Sequence, residues 1–204
     1  MSEPKVQEIE SGKVDCGRRL IIVSNRLPFN AKIEGGELSF QPSAGGLVSG
    51  LASYLHGTRQ TAHFSGDYLW VGWPGTSIDE SLKDSLIERV REQFSSHPVF
   101  LTEEQMERFY LGFCNSTLWP LFHYFTSFAV YDAEFWQQYK QINQSFCDAL
   151  DEVLRPDDVV WVHDYHLMLL PRLLKMRRPD LSVGFFLECD ASRQQIMWRK
   201  WQPA

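Results

Sequence analysis

Apolar residues in this chain come in short runs separated by stretches with a 3.6-residue rhythm. Leu20, Ile21, Ile22 and Val23 form a nearly continuous run within residues 19–25, β-branched at its centre and ending in polar residues. Such a run predicts a strand buried on both faces, as in parallel sheets. Gly35 and Gly36 interrupt residues 29–42 and predict a hairpin. A helix is expected at about 46–56, with Gly45 and Gly46 at its entrance. Residues 68–72 read as a second short strand. Residues 79–95 read as a helix, with Leu82, Leu86, Ile87 and Val90 on one face. A third strand is expected at 98–101. Thr102 and Gln105 then have the spacing of a capping box. A long helix is predicted over 132–154, a strand at 159–162, a helix at 166–177 kinked by Pro171, and a last strand at 182–187.

Strands alternating with helices imply βαβ units and a mainly parallel sheet, an α/β fold with a Rossmann-like layout and one small hairpin. Ligands bind such sheets beyond the carboxyl ends of the strands. That rule directs attention to residues 24–26, 72–74 and 163–165, and to whatever follows Leu187.

Composition narrows the class. The chain has 204 residues, 44% of them hydrophobic, enough for a core of one domain. Lys and Arg number 20 against 26 Asp and Glu, a net charge of −6. A broad nucleic-acid footprint is not expected from that balance. No apolar run reaches the ~20 residues of a membrane helix, and the polar start has no secretory h-region. Cys16, Cys114, Cys147 and Cys189 are scattered, which fits reduced thiols in a cytoplasmic protein.

Several residues near the strand ends could carry chemistry. Arg26 offers a planar fork of donors to a phosphate or carboxylate, or simply caps a loop. Gly45 and Gly46 open a helix whose free N–H groups suit an anion, though a tight turn would use the same residues. Trp73 is expected just past its strand as an aromatic wall, whereas Trp70 reads as core. Tyr110, Trp119, His123 and Tyr124 would suit a carbohydrate pocket, though residues of this kind are mostly core. Asp164 either caps a helix or accepts hydrogen bonds from substrate hydroxyls. His163 and His166 have the spacing of a metal pair, but no further Cys/His cluster completes a site.

Taken together, the blocks at 19–28, 43–47, 70–75, 115–124 and 160–167 resemble trehalose-6-phosphate synthases, retaining glucosyltransferases of the GT-B type. The resemblance runs from about Arg19 to Leu187. It implies transfer of glucose from UDP-glucose to glucose 6-phosphate, with retention, no metal and no cofactor, in a cleft between two Rossmann-like domains. Arg26 resembles the family's arginine on the acceptor phosphate. Tyr110 and Asp164 resemble other acceptor residues, Trp73 a wall of the pocket, and Trp119 the tryptophan tied to α-anomer selectivity. Gly45 and Gly46 resemble the turn that touches the donor diphosphate. The leaving phosphate is expected to help deprotonate the acceptor, so no protein base is expected here.

The pattern breaks after Leu187. Glu188 stands where the family has a histidine in the catalytic pocket, and residues 188–204 match nothing expected of it. The expected organisation is therefore a flexible leader (1–17), an N-terminal GT-B acceptor domain (18–187) and a divergent tail (188–204), without the donor domain. Such a chain is expected to be inactive alone. The alternative is a non-catalytic glucose 6-phosphate-binding module that associates with full-length synthase subunits. Either reading takes small-molecule ligands, with no nucleic acid and no membrane.

Overall fold

The computed structural model describes residues 18–34, 37–43 and 67–187. The expected leader, the Gly35–Gly36 turn, the helix at 46–56 with Gly45 and Gly46, and the tail from Glu188 lie outside the described residues.

Five parallel strands form the sheet: β1 (Leu20–Arg26), β4 (Tyr68–Trp73), β5 (Ser96–Pro98), β6 (Val159–His163) and β7 (Ser182–Phe186). Their order is β5-β4-β1-β6-β7, which is 3-2-1-4-5 in chain order, the Rossmann arrangement through its fifth strand. β1 is central, and Ile21, Ile22 and Val23 are completely buried. Alternation sends Ile21 and Val23 into one core layer and Ile22 into the other. The hairpin of β2 (Phe29–Glu34) and β3 (Glu37–Pro42) stands apart as its own antiparallel pair.

Helix α1 (Glu80–Phe94) buries Leu86 and Val90 against the β1–β4 face and ends on Ser95 in the left-handed conformation, φ 47°. The chain enters β5 at once, pairing Trp70 with Ser96 and Gly72 with Pro98. The third strand thus lies at Ser96–Pro98, before the expected 98–101. The left-handed turn at Ser95 delivers the chain straight into the ladder. Pro98 closes an edge strand, where its missing N–H costs nothing on the open side. One further bond, from Val99 N to Gly72 O (2.8 Å), ends the pairing.

Thr102 and Gln105 form the expected capping box at the start of α2 (Glu103–Met106), with bonds of 2.9 and 3.1 Å. The helix then widens into a π-helix over Glu107–Leu118 and tightens again in α3 (Trp119–Phe122). The long helix α4 (Ala133–Val153) is capped by Asp132, whose Oδ1 accepts from Glu134 N at 2.7 Å. Its buried stripe carries Tyr139, Ile142, Asn143, Phe146, Cys147 and Leu150. Burial pushes the Cys114 thiol up, and that of Cys147 up to about 11.

The expected helix at 166–177 divides into a 3₁₀ turn (Tyr165–Leu167) and α5 (Leu170–Arg177). Pro171 falls in the first turn of α5. There its absent N–H would have had no helical partner, so it starts the helix and does not kink it. Beneath the sheet, Arg19 Nη2 meets Asp158 Oδ2 at 2.7 Å and donates to Val153 O at 2.6 Å. This buried pair ties the end of α4 to the starts of β1 and β6. Among the described residues, no helix is long and apolar enough to cross a membrane.

Candidate functional site

The carboxyl edge of the sheet is shaped by Gly72. A Cβ there would lie 2.9 Å from Arg26 C, Leu27 N and Ser24 O, all backbone atoms, so β1 bends tightly over it. The β1–β4 register shifts between Val23 and Arg26, and Arg26 then pairs with Trp73. Leu27 N donates to Trp73 O at 2.9 Å. Ser24 Oγ donates to Arg26 O and accepts from Trp70 Nε1, both at 2.7 Å. The bulge is therefore held from both sides, and it turns Arg26 outward into solvent.

The Arg26 guanidinium lies 5.0 Å from the Trp73 ring centre and 5.7 Å from that of Tyr110. Two ring faces orient the cation without neutralising it. Trp73 is the last residue of β4, not a residue beyond it, and is only 6% exposed. Its Nε1 has no hydrogen-bond partner. Next to Arg26, a cavity of about 420 Å³ is lined by Asn30, Lys32, Gly75 and Thr76 among others.

Asp164 follows β6 with φ 72° and ψ 165°, a region that is nearly glycine-only. Its N–H donates to Phe186 O at 2.7 Å, and its Oδ1 accepts from Tyr165 N at 2.8 Å. Its Oδ2 lies 3.1 Å from His166 Nδ1, although neither ring nitrogen of His166 has an aligned hydrogen-bond partner. His163 is buried against Trp161 and Phe186, also without an aligned partner. Burial lowers its pKa to about 4, against the opposing pull of Asp164. Among the described residues, no three His, Cys, Asp or Glu side chains are grouped to hold a metal ion.

Aromatic contacts link these parts. Tyr110 stacks on His166 at 5.4 Å, His166 on Tyr165 at 4.2 Å, and Trp119 approaches Tyr165 at 6.0 Å. Trp119 is 46% exposed and packs on His123, whose Nδ1 lies 2.8 Å from Trp119 O. Tyr110 and Trp119 sit nine residues apart, yet both face the turn after β6. An α-helix at about 100° per residue would put them on opposite sides. The π-helix, with ~4.4 residues per turn, brings them back into line.

The structure thus brings Arg26, Trp73 and Tyr110 together, and joins Asp164 and Trp119 to them through His166 and Tyr165. Gly45 and Gly46 lie outside the described residues. The sequence did not single out Tyr139 and Asn143 on α4, which brace the turn. Tyr139 OH donates to Tyr165 O and accepts from Met168 N, while Asn143 bonds His166 O and Leu169 N. Two polar groups four residues apart within the apolar stripe of a helix were the available signal. Strand-end position pointed to Tyr165 only as part of residues 163–165, and spacing pointed to His166 only as half of a metal pair. A cation between ring faces, a cavity beside it and a carboxylate at the next strand end form a surface suited to an anionic, hydroxyl-bearing ligand.

The sheet order defines a Rossmann-like domain, and the solved structures it matches are glycosyltransferases of the GT-B class. Residues 18–192 match the model of glycosyltransferase family 20, and the chain belongs to that family. It is 43% identical over 179 residues to the alpha,alpha-trehalose-phosphate synthase [UDP-forming] A of Dictyostelium discoideum, covering 87% of this chain and 23% of that protein. A Burkholderia xenovorans alpha,alpha-trehalose-phosphate synthase, solved in complex with glucose-6-phosphate, is similar with a TM-score of 0.60 and 27% identity. That match covers 83% of this chain and 33% of that one. An E. coli protein solved with UDP-2-fluoro glucose bound gives a TM-score of 0.61 and 29% identity, covering 83% of this chain and 32% of that one. The chain therefore spans a quarter to a third of the length of these relatives.

Proposed function

We propose that this chain forms the acceptor side of a UDP-forming trehalose-phosphate synthase, where glucose 6-phosphate receives glucose from UDP-glucose with retention. The observation that carries this reading is the Arg26 guanidinium, exposed to solvent and flanked by Trp73 and Tyr110 beside a cavity. An exposed planar cation held by ring faces is prepared for a phosphate dianion. Asp164, at the neighbouring strand end, accepts sugar hydroxyls, and Trp73 and Tyr110 bound the sugar. Trp119, half-exposed beyond Tyr165, faces the sugar from the other side and favours one anomeric geometry. Gly45 and Gly46 meet the donor diphosphate. Positive charge gathered near the phosphates serves transfer by stabilising charge on the departing UDP.

Isothermal titration of the 204-residue chain with glucose 6-phosphate tests the reading, with glucose as the control. Saturable binding of the phosphate ester, much weaker binding of glucose, and loss of the difference in Arg26→Ala are expected. Equal affinity in wild type and Arg26→Ala would reject it.

A further inference from the structure

His166 is 8% exposed and stacks on both Tyr110 and Tyr165, with interplanar angles of 11° and 26°. A phenyl ring would fill this slot without stranding two ring nitrogens, which are costly to bury unpaired. Nor is the side chain needed to hold the turn, whose backbone is already bonded by Tyr139 and Asn143. What the imidazole adds is Nδ1, 3.1 Å from Asp164 Oδ2. The same ring faces Tyr110, one of the two rings over Arg26.

We propose that His166 is a positioning residue for the acceptor. Its Nδ1–H turns the Asp164 carboxylate toward the sugar hydroxyls, and its ring face fixes Tyr110 beneath the phosphate-binding guanidinium. One imidazole thus sets the two ends of the acceptor in register. This inference rests on the acceptor reading of Arg26 and Asp164.

The test is titration of the full chain with glucose 6-phosphate and, separately, inorganic phosphate. His166→Phe keeps the stacking ring and removes the donor. It is expected to weaken glucose 6-phosphate about tenfold, the scale of one charge-assisted hydrogen bond, and to leave inorganic phosphate within about twofold. His166→Asn places an amide N–H near the Nδ1 position but removes the stacking ring, so it is expected to weaken both ligands while restoring the wild-type preference for glucose 6-phosphate over inorganic phosphate. In an Asp164→Asn background, His166→Phe is expected to add nothing. Equal losses for both ligands in His166→Phe, no restored preference for glucose 6-phosphate in His166→Asn, or additive losses in the Asp164→Asn background would overturn the proposal. Nitrogen-15 spectra of the ligand-free chain give a readout independent of binding: the Nδ1–H tautomer is expected in wild type, and Nε2–H there would overturn it. If wild type and Arg26→Ala bind glucose 6-phosphate alike, the acceptor reading fails, while the tautomer still decides the His166–Asp164 contact.

Discussion

Arg26 and Trp73 are partners across the β1–β4 ladder, just past its bulge, with the guanidinium carbon 5.0 Å from the indole centre. The backbone that makes them neighbours also aims the cation, so the chemistry of residue 26 depends on its planarity as well as its charge. Arg26→Lys keeps the charge but loses the flat face and the two-pronged donor set. Its affinity for glucose 6-phosphate is expected to fall roughly tenfold to a hundredfold, about 1.4–2.8 kcal/mol, while remaining above that of Arg26→Ala. Titration calorimetry of the three proteins checks the order. Lys matching Arg would mean that only charge matters.

Gly72 lies under the same bulge. Gly72→Ala would press a methyl group against three backbone atoms at 2.9 Å, none of which can rotate away. Overpacking of this kind costs roughly 1–3 kcal/mol. A matching loss in urea unfolding is expected, together with weaker phosphate binding as β1 is displaced. A variant as stable as wild type would show that the bend over Gly72 is soft.

The backbone at Asp164 stores strain that the single bond from its side chain to Tyr165 N only partly offsets. Asp164→Gly relieves roughly 1–3 kcal/mol at φ 72° and forfeits the bond to Tyr165 N, worth about 1 kcal/mol, together with the approach to His166 Nδ1. Its melting temperature is expected to hold or rise while glucose 6-phosphate binding is lost. A sharp drop in melting temperature would contradict the strain argument.

His97 and His163 make stability depend on acidity. Burial lowers both to about 4 from 6.5; Arg91 adds to the shift at His97, and Asp164 opposes it at His163. In the unfolded chain both take up a proton near pH 6.5, and in the folded one only near 4. The stabilisation is full above about pH 6.5 and is lost as pH falls toward about 4, by up to roughly 3 kcal/mol per histidine. Urea midpoints at about pH 7.5, 6 and 5 are expected to fall in that order, with a shallower fall in His163→Leu. A flat series would mean that these rings are hydrated in solution.

Much of this architecture is legible in the sequence, for local reasons. β1, β4, β6 and the capping box at Thr102 follow from apolar runs and from the spacing of Thr102 and Gln105, which act within a few residues. β5 is displaced to Ser96–Pro98 because the left-handed Ser95, invisible to periodicity, decides where the chain enters the ladder. The role of Pro171 depends on where α5 starts, and that is set by the Tyr139 and Asn143 braces on a distant helix. Strand-end geometry pointed to Arg26 and Asp164. The aromatic chain through Tyr165 and His166 exists only once β6 and the π-helix pack together.

That π-helix carries a consequence for how this stretch tolerates change in length. Point substitutions on its outer side leave the alignment of Tyr110 with Trp119 intact. Removing or adding one residue between them swings Trp119 by about 80–100° around the helix axis, away from Tyr165. The segment between residues 110 and 119 thus works as a ruler, in which the count of residues matters along its whole length and identity matters at the buried positions, Gly112 among them, where a Cβ would meet Phe135 at 2.9 Å.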